Sequence, residues 1–415
     1  MEETSIIYSF LSFIFILPCL NHLFQSKNLP PSPPSLPILG HLHLLKPPIH
    51  RYYHHLSQTY GPVFSLRLGS RLLVVVSSST TAQECFTNND LVLANRPKLI
   101  AGKHFGYNYT TVSTASYGDH WRNLRRIGAI EIFSSTRLNA FARVRKDELR
   151  RLLVKLSRDS RQGFARVELK SMLSGLTFNN LMRMIAGKRY YGDEVTDENE
   201  ARELRELIAE SFSYGGSGNL ADYLPVLNWF GGYEKKVKRV GEKMDRWMQK
   251  LIDQHRYKKM ESNNTASMID HLLNLQQSDP HYYTDEIIKG LILVLIFAGT
   301  DTSAVTLEDP NSWEDPTGFK PDRFENGEEL EGNEDSQSPK LMPFGLGRSA
   351  CPGEGLAQRV VGLTLGALIQ CFEWERIDRQ EIDMVEGTGI TMRKAHPLKA
   401  LCKARPIVNT TFYGN

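Results

Sequence analysis

The chain has 415 residues, 41% of them hydrophobic and 23% charged, with a formal net charge of +3. That length holds one large domain or about two to three ordinary ones, and so small a charge implies no nucleic-acid partner. Its five cysteines, Cys19, Cys85, Cys351, Cys371 and Cys402, are odd in number and far apart. This argues against a disulfide framework and for a reducing compartment, and no CxxC or Cys/His cluster suggests zinc.

Residues 6–20 form an uncharged, mostly apolar run with Phe10, Phe13, Ile14, Phe15, Ile16 and Leu17, continuing past Asn21 and His22 to Phe24. A spanning helix needs about 20 residues, so the run suffices for an anchor. A cleaved signal peptide is the alternative, but it would want a basic start and a small-residue cleavage site. Glu2 and Glu3 lead the run instead, and no A-x-A follows. Lys27 beyond it puts the N-terminus across the membrane and the body in the cytosol. The sequons at Asn108, Asn263 and Asn409 then stay unglycosylated. Pro30, Pro31, Pro33, Pro34 and Pro37, ending at Gly40, exclude helix and favour an extended spacer, a peptide-recognition ligand being the competing reading. The organisation expected is an anchor at 1–26, a linker at 27–40 and a single body at 41–415.

Within the body, 63–68 and 72–76 alternate as strands, joined as a hairpin through Gly69, Ser70 and Arg71. Helical patterns dominate from Trp121. Trp121 and Arg125, four apart, share a helix face, with Arg122 and Arg126 on the adjacent one; on spacing alone a solvated basic helix is the better reading. Two E-x-x-R strings, Glu148–Arg151 and Glu373–Arg376, read as surface helix charges. Residues 212–232 form a Gly- and aromatic-rich loop, after which Lys235, Lys236, Lys238 and Arg239 open the next helix.

A further helix starts at Thr284, with Asp285 and Glu286 in its first turn. Residues 291–297 are apolar on every side, so it crosses the core. It runs into Ala298, Gly299, Thr300, Asp301, Thr302 and Ser303, where an acid and hydroxyls are costly to bury unless they serve something. A threonine bonding back to the preceding turn is the simpler alternative. Last comes Phe344-Gly-Leu-Gly347-Arg348-Ser-Ala-Cys351-Pro352-Gly353. Glycines allow close approach to a bulky planar group, and the loop launches a helix with Leu356, Val360, Leu363 and Ala367 at helical spacing. A cysteine just before a helix N-terminus faces a positive dipole end that favours the thiolate; a buried structural cysteine is the alternative.

These segments together resemble the cytochrome P450 family, specifically the plant microsomal A-type enzymes near the flavonoid and isoflavonoid hydroxylases. The family's haem loop, F-x-x-G-x-R-x-C-x-G, is matched by Phe344, Gly347, Cys351 and Gly353, while its arginine falls on Ser349, with Arg348 just before. The resemblance implies a mostly α fold with small β-sheets (α+β), behind the membrane anchor. It implies haem b, iron protoporphyrin IX, with Cys351 as the iron ligand and Trp121 and Arg125 on a propionate. Ala298 and Gly299 would leave room for dioxygen, and Asp301 and Thr302 would deliver protons at the distal haem face. Implied partners are O2, a small lipophilic substrate, the endoplasmic reticulum membrane and NADPH-cytochrome P450 reductase, with Arg122 and Arg126 available to an acidic donor. Substrate contacts would come from 96–117, 212–230 and 387–390. Asp309 to Phe324, with Arg323, resembles the stretch before the family's haem loop. The family's E-x-x-R helix, which should precede it, is absent: Glu308 runs straight into Asp309-Pro310. The fold expected is therefore internally truncated between about 308 and 309, leaving Arg323 without its carboxylate and the hairpin with an open edge.

Overall fold

The computed structural model describes residues 28–215, 219–261, 267–299, 342–377, 385–387 and 394–408. The anchor at 1–26, the junction at 308 and Arg323 lie outside them, and among the described residues no helix is long and apolar enough to cross a membrane. The chain divides into two compact units. One takes in the described residues up to Asp90 and those of 219–233, the other nearly all the rest. Each has its own apolar cluster.

In the smaller unit, α1 (Ile49–Tyr60) packs on a hairpin of β1 (Val63–Leu68) and β2 (Arg71–Val76). The strands are antiparallel, in register from Val63 opposite Val76 to Leu68 opposite Arg71. Arg71 thus belongs to the strand, and the turn is Gly69-Ser70, with Gly69 in the left-handed region at φ 55°. Phe64, Leu66 and Leu68 point into the cluster with Leu56 and Val75. The proline-rich stretch is no free spacer from Pro30 onward, because it lines the outer edge of β1. The Ser65 N–H donates to Pro31 O at 2.8 Å, and the His41 N–H to Arg67 O at 2.6 Å. The Arg67 N–H donates in turn to His41 Nδ1 at 2.7 Å. Prolines suit an edge, where carbonyls accept and no N–H is asked for. The open edge expected is therefore on β2, which pairs with β1 alone among the described residues. The loop expected at 212–232 is partly helical, at Leu220–Tyr223 and Leu227–Gly231, and leaves Trp229 and Phe230 exposed.

The larger unit is helical around one small sheet. In chain order come α2 (Asp119–Ile127), α3 (Ala142–Asp159), β3 (Ala165–Glu168), α4 (Leu169–Ala186), α5 (Glu198–Tyr214), α6 (Tyr233–Glu261), α7 (Met268–Ser278), α8 (Asp285–Gly299), α9 (Glu354–Cys371), β4 (Phe372–Glu375) and β5 (Lys399–Ala404). β5 lies between β3 and β4, antiparallel to both. Its Cys402 is buried with Leu149, Leu152, Leu153 and Leu156 of α3, Leu368 of α9 and Phe372. Local chemistry explains the helix ends. Asp197 Oδ1 caps α5 by accepting from the Asn199 and Glu200 amides. Ser267 and Asp270 cap α7 reciprocally. Gly187, at φ 67°, ends α4.

One expectation is corrected here. Glu148, taken for a surface charge, is buried on α3. It accepts from Arg183 Nη1 at 2.7 Å and Arg189 Nε at 2.8 Å, because a carboxylate removed from water needs cations and donors around it. Arg151 turns instead to Asp147 and Glu194. On α9 the buried positions are Thr364 and Leu368. Leu363 is exposed, as are Val361, Leu365 and Ile369, which follow helical spacing.

Candidate active site

The cysteine loop is closed by its own backbone. The Cys351 N–H donates to Phe344 O at 2.8 Å, and the Ala350 N–H to Gly347 O at 3.1 Å. The tight path needs left-handed backbone at Gly345 and Gly347, φ 68° and 63°, which glycine adopts without strain. Gly353 is the N-cap of α9. A Cβ there would stand 3.6 Å from the Phe133 ring and 3.8 Å from the Cys351 sulfur, so ordinary contact and not steric need surrounds this glycine. Cys351 is exposed. The loop therefore presents a thiol outward, unlike the buried structural cysteine left open by its residues alone.

Beside the loop lies the N-terminal part of α2. Trp121 is buried, and Arg125 stacks on its indole at 5.6 Å from the ring centroid. The indole N–H donates to Val112 O at 3.1 Å, since a buried donor takes the nearest acceptor. Trp121 thus ties down the 96–117 loop, and Arg125 alone of the pair offers its donors. Burial lowers the Arg125 pKa, the nearby Arg96 lowers it further, and Cys351 opposes both. Arg125 makes no ion pair with a described carboxylate. Arg348 is exposed and lies over the Tyr117 ring at 5.8 Å, with Arg122 over the same ring at 5.6 Å. Arg96 went unrecognised in the sequence, where nothing about Asn95-Arg96-Pro97 marks it. Asn95 Oδ1 accepts from the Tyr117 N–H at 3.0 Å, which pins that stretch against α2.

α8 begins as the sequence implies. Thr284 Oγ1 accepts from the Ile287 N–H at 3.3 Å. Asp285 binds Arg256 and accepts from Gln249 at 3.0 Å and Gln276 at 2.9 Å. The hydrogen bond and charge of Arg256 hold its carboxyl well below the usual range against the opposing effect of burial. Ile288, Leu291, Ile292, Leu293, Leu295 and Ile296 are all buried, so the helix does cross the core. At its end Ala298 and Gly299 are exposed. A Cβ on Gly299 would come 3.0 Å from Leu181 Cδ2 of α4, so the missing side chain serves helix packing. Asp301 and Thr302 lie outside the described residues, as do 388–390.

One group of residues escaped the sequence reading as a unit. Phe297, counted there among the apolar positions of α8, meets Phe105 edge-on at 6.2 Å and 88°, and Phe212 at 5.4 Å and 52°. Phe105 and Phe212 belong to two stretches expected to touch substrate, and α8 brings them together one residue before Ala298. An outward thiol, a glycine-rich loop, a half-buried guanidinium without a carboxylate partner among the described residues and the exposed end of an apolar helix suit a planar, thiolate-ligated group carrying carboxylates. Haem fits that donor set.

Known proteins resemble the chain over nearly its whole length. The family model "Cytochrome P450" matches residues 30–308 and, as a second segment, 306–401. Cytochrome P450 81D1 of Arabidopsis thaliana is 47% identical over 509 residues, covering 99% of each chain. Isoflavone 2'-hydroxylase of Glycyrrhiza echinata is 42% identical over 501 residues, 98% of each. Isoflavone 3'-hydroxylase of Medicago truncatula is 43% identical over 497 residues, 96% of this chain and 97% of that one. Alignments this long against 415 residues must run through relative sequence that has no counterpart here.

Proposed function

Because the chain belongs to the cytochrome P450 family, in its plant flavonoid-hydroxylase group, whose members are haem-binding monooxygenases, we propose that it hydroxylates a small lipophilic, aromatic plant metabolite of the flavonoid or isoflavonoid kind. Electrons would come from NADPH through its reductase, with the body held at the endoplasmic reticulum by residues 1–26. The observation that carries the reading is the cysteine loop, with an outward thiol on a backbone-closed glycine turn beside Arg125.

Bound there, haem supplies the activation of O2 that no side chain can perform. Cys351 would hold its iron as the thiolate ligand. Arg125, held by the Trp121 ring and short of a described carboxylate, would pair with a propionate. Arg348 stands at the place nearest to the family's second arginine, since position 349 is Ser. Phe105, Phe212 and Phe297 would exclude water and stack a flat aromatic substrate. Asp301 and Thr302, next but one and next but two after Gly299 in the chain, would hold and pass protons. Arg122 and Arg126, exposed on α2, leave a basic surface for an acidic electron donor.

A second reading is a P450-derived membrane protein with impaired haem binding. The split of the family match at 306–308 and the length of the alignments favour a missing block between about 308 and 309. The exposed Val361, Leu365 and Ile369 of α9 are the kind of surface such a loss would uncover. The two readings part on one measurement. Full-length protein, purified, reduced and treated with carbon monoxide, should show the red-shifted Soret band of a thiolate-ligated haem. Folded protein lacking that band sinks the first reading and leaves the second.

A further inference from the structure

The stretch from Phe105 to Thr111 is the most strained backbone described. Tyr107, Asn108 and Tyr109 are consecutive non-glycine residues at φ 47°, 53° and 65°. Such a run persists only where its surroundings over-determine it, and three sets of contacts do so. The Asn108 N–H donates to Lys103 O at 2.8 Å, and the Thr110 N–H to Gly106 O at 2.8 Å. On α6, Glu234, Gly241 and Asp245 follow one helical stripe, and they receive the stretch together with the two residues before it. Glu234 takes Lys103 at 2.7 Å and His104 at 3.1 Å. Gly241 lies so close to His104 O that a Cβ there would stand 2.9 Å from it. Asp245 Oδ1 accepts from the Tyr107 hydroxyl at 3.0 Å and from Lys289 Nζ at 2.5 Å.

Lys289 is the informative member. It belongs to α8, is buried, and lies 5.6 Å from the Tyr107 ring centroid. One carboxylate thus joins the strained stretch, α6 and α8. At the next residue of α8 the stretch continues in contact, since a Cβ on Gly290 would meet Thr111 Cγ2 at 3.2 Å. Its other end delivers Phe105 to Phe297. Burial, followed by the Asp245 charge, pushes the Tyr107 phenol well above its ordinary range, so it stays a donor.

We propose that Tyr107, Asp245 and Lys289 are positioning residues that hold the strained 105–111 stretch in place and thereby set Phe105 against Phe297, fixing the aromatic wall a flat ligand packs on. This rests on the haem-protein reading above. The hydroxyl of Tyr107 is the best handle, because Tyr107→Phe keeps the ring and the Lys289–Asp245 ion pair. The test uses the full-length holoprotein and two iron-binding probes, imidazole and phenylimidazole, titrated by their Soret shift. Tyr107→Phe should weaken phenylimidazole roughly five- to tenfold and leave imidazole unchanged, while amides of 105–111 exchange faster. Lys289→Arg should keep wild-type affinity for both probes, since it retains the cation. If Tyr107→Phe binds phenylimidazole as wild type does, the inference is wrong. If imidazole itself gives no shift on wild-type protein, the haem reading fails first.

Discussion

Glu148 shows how much one side chain can carry. Its carboxylate is buried and accepts from Arg183, Arg189 and, at 3.4 Å, Asn179 Nδ2. Asn179 also accepts from the Tyr190 and Tyr191 amides at 2.9 Å and 3.0 Å, so the cluster ties α3, α4 and the chain after α4 together. Glu148→Gln leaves two guanidinium groups short of their shared anion, and should cost about 3–5 kcal/mol in denaturant unfolding. Glu373→Gln is the matched comparison. Glu373 is about half exposed and among the described residues pairs with Lys403, at 3.8 Å, so its loss should stay within about 0.5 kcal/mol. Equal effects would show the burial of Glu148 to be unimportant. No local pattern separates these two glutamates, each followed three places on by arginine. The partners of Glu148 come from another helix and the turn beyond it.

At the scale of elements, the docking of the proline-rich stretch on β1 turns on Gly40. Its φ is 61°, and a Cβ there would stand 2.1 Å from Arg67 O, a carbonyl already engaged by the His41 N–H. Gly40→Ala should therefore lift the stretch away, at a cost above about 1 kcal/mol from the left-handed backbone alone. Amides of Ser65 and Arg67 should lose protection from hydrogen exchange, while α8 keeps its own. Unchanged protection at Ser65 would refute the docking. Proline content correctly excluded helix here, yet it was silent on the neighbouring edge. A polyproline segment presents free carbonyls, and only the folded hairpin decides whether they find amides. The start of α8 was legible because a cap is a local device of Thr284 and its first turn.

For the whole molecule, acid is the simplest probe. Asp285 is held below its ordinary range by Arg256 and two amides, and Glu234 by Lys103 and then His104. A carboxyl depressed in the folded state adds stability that is complete above its unfolded value and lost as pH falls through the folded one. The thermal midpoint should thus be flat near neutrality and decline below about pH 4, and Asp285→Asn should make that decline shallower. An unaltered slope in the variant would exclude a contribution from Asp285. The sequence alone determined the family, the glycine-rich cysteine loop and the core-crossing helix, since each rests on contiguous residues whose spacing carries the chemistry. Tertiary structure decided the rest: the buried place of Glu148, the diversion of the Trp121 N–H to Val112, the Phe105–Phe297–Phe212 contact and the Tyr107–Asp245–Lys289 cluster. Each joins residues far apart in the chain, and burial, which sets their partners and energies, exists only once the helices have packed.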